Sequence, residues 1–129
     1  MKNIPLRVRN LIRRHGTQDP YQIARELKFD LLYAPLPNGI NGLWRRILRR
    51  KYIVIDDALT DWQKKAVLCH ELGHYLMHPH YTSYCMAERT FYSNTKKERE
   101  ANEFAAEFLI TTSGQIPRQI ILAFLTAGN

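Results

Sequence analysis

The chain has 129 residues, of which 45% are hydrophobic, 11% aromatic and 24% charged, and its formal net charge is +7. Such a length fits one compact domain, residues 1–129, better than two, and the composition excludes a disordered chain. No apolar run approaches the roughly 20 residues that cross a bilayer, and Met1 opens onto Lys2 and Asn3 rather than a secretory signal, so the expectation is a soluble, cytoplasmic protein with no membrane contact.

Taken in chain order, Ile4, Val8, Leu11 and Ile12 recur at helical spacing with arginines between them, which predicts an amphipathic helix ending near Gly16. In "DPYQIARELKFD" Asp19 caps and Pro20 takes the first position of a second, shorter helix. "FDLLYAPLP" reads as a strand stopped by prolines, and "NGINGLWRRILRRKYIVIDD" as a hairpin whose most secure strand contains Ile53, Val54 and Ile55. "TDWQ" fits a capping box with Thr60 as cap and Gln63 reaching back, opening a helix that runs from Asp61 until Pro79. Residues 79–94 are rich in Tyr, Ser and Asn and read as a loop. A further helix starts near Thr95 and buries Ala101, Phe104, Ala105, Phe108 and Leu109, and a last one spans about 116–127. Cys69 and Cys85 form no disulfide pattern, and Cys69 belongs in the core.

"HELGH", residues 70–74, falls in the middle of the helix that begins at Asp61. His70 and His74 are four apart, so their rings lie on one side of the helix, one turn apart, where both can bind one zinc ion. A catalytic zinc takes three protein ligands and a water, and it lowers the pKa of that water from about 15.7 to about 7. Glu71 then has the chemistry of the base that takes the proton from that water and passes it to a leaving amine. Because the five-residue pattern arises by chance in roughly one such chain in a hundred, a third ligand has to complete the case. "EREANEFAAEF" offers Glu98, Glu100, Glu103 and Glu107. Helical spacing lets Glu98 reach inward with Asn102 one turn further on, placed to hydrogen-bond the outer nitrogen of a ligand histidine. Glu103 reads as solvated; Glu100 is the alternative ligand, and Glu98 also fits a capping box with Thr95.

"HELGHYLMH", preceded by "YIVIDDALTDWQKKAVLC" and followed by "EREANEFAAEFL", closely resembles the ImmA/IrrE family of zinc metallopeptidases. The match covers about residues 20–110, and like other gluzincins the family pairs His-Glu-x-x-His with Glu-x-x-Ala-Asn/Asp. The resemblance implies Zn2+ held by His70, His74 and Glu98, with Glu71 as base. It also implies a small α+β, zincin-like fold: a short antiparallel or mixed sheet of about three strands against the motif helix and the glutamate-bearing helix, with further N- and C-terminal helices. Family members of phage and mobile-element type cleave or inactivate a helix-turn-helix repressor, so the expected function is a zinc endopeptidase acting on such a protein. The rival expectation is a non-catalytic zinc-containing regulator that binds a repressor, or DNA, without cutting. After Leu109 "ITTSGQ" departs from the family's usual Leu-Met-Pro style ending, so the last helix either completes the core or contacts another protein.

Lesser signals have two readings each. Gly73 lets another element or a substrate approach, or is merely tolerated at a cost of about 1 kcal/mol. His78, beside Pro79, reads as a residue that interacts with terminal helix carbonyls rather than as a fourth ligand, while His80 and His15 read as surface residues. Tyr75, Tyr81, Tyr84 and Tyr92 are candidates for stabilising an oxyanion, against a bland role in packing. Arg45, Arg46, Arg49, Arg50 and Lys51 suit an acidic surface or DNA phosphates, with a charged strand edge that discourages aggregation as the favoured reading.

Overall fold

A computed structural model describes residues 2–79 and 95–127. Its elements are α1 (Ile4–His15), α2 (Pro20–Glu26), β1 (Phe29–Ala34), β2 (Gly42–Ile47), β3 (Arg50–Asp56), α3 (Asp61–Met77), α4 (Thr95–Thr112) and α5 (Arg118–Ala127). Local chemistry sets the boundaries. Asn3 Oδ1 accepts the Leu6 N–H at 3.1 Å to start α1, and Gly16, at φ +66°, ends it by donating to the Ile12 carbonyl at 2.8 Å. Asp19 Oδ1 accepts the Tyr21 N–H at 2.9 Å ahead of Pro20. At α3, Gln63 Oε1 accepts the Thr60 N–H at 3.1 Å, the backward half of the expected capping box.

The three strands form a mixed sheet in the order β1-β3-β2. β1 runs parallel to β3 from Phe29 opposite Lys51 to Ala34 opposite Asp56, and β2 runs antiparallel to β3 from Gly42 opposite Ile55 to Ile47 opposite Arg50. A two-residue turn joins the hairpin through Leu48, which sits at φ +58° and is almost fully exposed. One face of the sheet packs on α3, where Phe29, Trp44, Ile53 and Ile55 meet Val67, Leu68 and Leu72. At the end of that face Tyr75 packs edge-on against Phe29 and Trp44, its ring centroid 4.9 and 5.3 Å from theirs, and Lys51 caps the cluster over the Tyr75 ring.

The other side of α3 packs on helices. Ala66, Cys69 and Met77 join Val8 and Leu11 of α1, Phe104, Ala105, Phe108 and Leu109 of α4, and Ile121 and Leu125 of α5 in a second cluster. Burial of each large side chain contributes about 1.5–3 kcal/mol. The last helix therefore completes the core, and Arg118 ties it to α4 with 2.7 Å bonds to both Glu103 and Glu107. Because α3 lies between sheet and helices, every residue from Ala66 to His74 is buried, the polar ones included.

Two glycines permit this. A Cβ on Gly73 would lie 3.1–3.2 Å from the Phe104 side chain, so the glycine lets α4 close on α3. A Cβ on Gly42 would overlap Val67 Cγ1 and approach Glu71 Oε2 to 3.8 Å, so only glycine lets β2 sit this near α3. Gly42→Ala is expected to destabilise the protein by about 1–3 kcal/mol through overpacking, with a smaller loss in a Val67→Ala background, as measured by urea denaturation.

Candidate metal centre

α3 turns His70 and His74 to the same side, and α4 delivers Glu98 between them. Glu98 Oε1 lies 3.2 Å from His70 Nε2, and Glu98 Oε2 lies 3.0 Å from His74 Nε2. The two rings meet edge-on with centroids 4.7 Å apart. One ligand atom from each residue lies within 4.8 Å of the others, a set that can hold a metal ion. A tetrahedral ion of zinc's size, about 2.0–2.1 Å from nitrogen, places its donors roughly 3.3 Å apart, and the two carboxylate-to-ring separations are close to that. The donor set, two imidazoles and a carboxylate, matches a site that leaves a fourth position open.

The electrostatics favour a cation. Burial pushes the His74 pKa down to about 4 despite its bond to Glu98, which keeps the ring in the neutral form that ligates metals. For Glu98, burial acts to raise the pKa, but the hydrogen bonds to His70 and His74 outweigh it and hold the carboxyl well below the usual range. An ionised carboxylate thus converges with two imidazole nitrogens, and its negative charge and their lone pairs suit a cation in place of the hydrogens between them.

Glu71 stays outside the donor set. It is 1% exposed, its charge reaches His74, and its carboxylate lies behind the Gly42 backbone at the start of β2. Each remaining glutamate of α4 has another partner: Glu103 and Glu107 bind Arg118, and Glu100 binds His78 Nε2 at 2.8 Å. Asn102 is buried on the same side of α4, yet among the described residues no hydrogen bond joins it to either ring, and its Oδ1 has no partner. The neighbour of His74 is instead His78, with Nδ1 3.1 Å from the Nδ1 of His74. The His78 ring thus engages two side chains, whereas its expected role was with helix carbonyls. Tyr75 accepts from Lys51 Nζ at 2.9 Å and is committed to the aromatic cluster. Tyr81, Tyr84, Tyr92, His80 and Cys85 lie outside the described residues.

Against known protein families, residues 24–119 match the peptidase M78 family model, described as an IrrE N-terminal-like domain. That stretch includes His70, Glu71, His74 and Glu98. This chain belongs to the ImmA/IrrE family. Among curated proteins it is 38% identical over 103 residues to the uncharacterized immunity region protein 2 of Bacillus phage phi105, covering 80% of this chain and 65% of that protein. It is 28% identical over 110 residues to the metallopeptidase ImmA of Bacillus subtilis (strain 168), covering 85% of this chain and 64% of that one. The chain thus spans slightly less than two thirds of these relatives. No solved structure matches it.

Stability of the metal-free protein should report the neutral ring. His74 titrates near 4 when folded and at its ordinary 6.5 when unfolded, so below 6.5 the unfolded chain takes up the proton first. Stability is therefore expected to fall as pH drops from about 6.5 to about 4, with the depressed Glu98 adding to the loss in more acid solution. His74→Gln should remove much of that slope in urea titrations across the window.

Proposed function

We propose that this chain is a zinc-dependent endopeptidase that hydrolyses a peptide bond in a cytoplasmic regulatory protein, a helix-turn-helix repressor of a phage or mobile element. His70, His74 and Glu98 hold the zinc, and Glu71 is the general base. Family membership supports the reaction class, and the names of the relatives, an immunity region protein and a metallopeptidase, support the setting.

One observation carries the catalytic reading over the regulatory one. Glu71 is a buried carboxylate on the motif helix, one residue from His70 and outside the His70, His74 and Glu98 set, where a general base is needed. When bound, zinc supplies Lewis acidity toward a peptide carbonyl and toward the attacking water. Glu71 accepts the proton of that water and returns it to the leaving amine. Its position behind Gly42 puts it at the first residue of β2, the edge strand, and among the described residues no strand pairs with the outer side of β2. An extended substrate segment pairing along that edge would pass beside Glu71. The exposed arginines of the β2–β3 hairpin flank the same edge and suit an acidic protein surface better than a duplex, since two of the five basic residues are already engaged: Arg50 with Asp30 at 3.0 Å and Lys51 with Tyr75. Among the described residues no helix is long and apolar enough to cross a membrane.

Glu71→Gln is expected to keep its zinc and lose about a hundredfold to ten-thousandfold in turnover, whereas His74→Ala should lose metal and activity together. The assay is incubation with the repressor encoded by the neighbouring gene, with and without chelator, followed by mass spectrometry. Discrete fragments that vanish with chelator support the peptidase; a stable complex with no fragments supports the regulator, and fragments formed by Glu71→Gln at the wild-type rate contradict the assigned base.

A further inference from the structure

His78 and Glu100 take no part in the reaction proposed above, yet they are built into the same pocket. His78 caps α3, its backbone N–H donating to the His74 carbonyl at 2.6 Å, and its side chain is almost wholly buried. Its ring joins two helices, with Nδ1 3.1 Å from His74 Nδ1 and Nε2 2.8 Å from Glu100 Oε1. Glu100 lies in turn 3.8 Å from Lys2 Nζ, ahead of α1.

Hydrogen-bond chemistry orders this chain of contacts. An ionised carboxylate only accepts, so His78 Nε2 carries the hydrogen and donates to Glu100. In a neutral imidazole a hydrogen on Nε2 leaves Nδ1 as acceptor, so the close approach of the two Nδ1 atoms requires His74 to donate from its own Nδ1. Once a cation takes the place of a hydrogen between His74 Nε2 and Glu98 Oε2, 3.0 Å apart, a hydrogen on Nδ1 leaves the Nε2 lone pair to the metal. We propose that His78 and Glu100 are positioning residues that hold His74 in the Nδ1–H tautomer, the form that presents Nε2 to the metal, with Lys2 steadying Glu100. This rests on the metal site of His70, His74 and Glu98. Outer partners of ligand histidines are commonly carboxylates, carbonyls or waters, and loss of one typically costs 10–100-fold in metal affinity; here a second histidine relays the carboxylate.

The test reads the His74 Nδ1 proton and zinc affinity separately. In the zinc-loaded protein, proton–nitrogen NMR should find the His74 Nδ1 proton hydrogen-bonded and slow to exchange with solvent in the wild type, and faster to exchange in His78→Phe and Glu100→Ala. Chelator competition should show zinc bound 10–100-fold more weakly by His78→Phe, and less weakly affected in Glu100→Ala. Glu100→Gln should return close to wild type, because its amide oxygen still accepts from His78. A His74 Nδ1 proton that exchanges equally fast in the wild type and in the variants would overturn the proposal, as would unchanged zinc affinity in a folded His78→Phe. Should His78→Phe not fold, Glu100→Ala, at a less buried position, decides by the same two readouts. A wild-type chain that binds no zinc contradicts the metal reading and this proposal with it, whereas zinc bound with wild-type affinity by both variants contradicts this proposal alone.

Discussion

Two imidazoles and a carboxylate forced together in the dry space between α3 and α4 are the constraint on which the rest of this structure depends. Burying such groups is costly, since each has given up water, and the hydrogen bonds from the rings to Glu98 offset only part of that cost. A cation turns that cost into binding energy, and because the donors converge only when the helices pack, metal affinity and folding become one free energy. The surroundings serve this convergence. α3 is clamped on both sides, by the sheet through Val67, Leu68 and Leu72 and by helices through Ala66, Cys69 and Met77. Gly73 lets Phe104 come close enough for Glu98 to reach across.

The same helix distributes its acidic residues by task. Glu98 points to the two rings, Glu100 holds the far end of His78, and Glu103 with Glu107 receive the Arg118 fork that fastens α5. None of these partners is interchangeable by rotation of the helix, since turning α4 to bring Glu100 inward would break the Arg118 pair and draw Phe104 and Phe108 out of the core. Which glutamate stands beside the two rings is thus set by the packing of a helix face rather than by the carboxylate itself.

Much of this was legible in the sequence because its signals are local. Caps at Asp19 and Thr60, the prolines after Ala34, the spacing of His70 and His74, and the apolar stripe of α4 each act within a turn or a few residues, so they predict the helices and the strands, while the short antiparallel or mixed sheet beside the motif helix follows from the family resemblance. What escaped depends on tertiary packing. The parallel pairing of β1 with β3 joins strands separated by another strand, and no local pattern marks it. Glu100 meets His78 across 22 positions, so helical periodicity in either segment could not pair them, whereas spacing alone offers Asn102 to the outer nitrogen of a ligand histidine. Nothing local marks Gly42, because the close approach of β2 to Val67 and Glu71 exists only in the folded chain.

The shared cation itself is open to direct observation by X-ray absorption at the zinc edge of the purified protein. Nitrogen and oxygen donors alone, at about 2.0–2.1 Å and with imidazole scattering from two histidines, are expected. A sulfur shell at about 2.3 Å, or an unchanged spectrum after both His70 and His74 are replaced, would contradict the site.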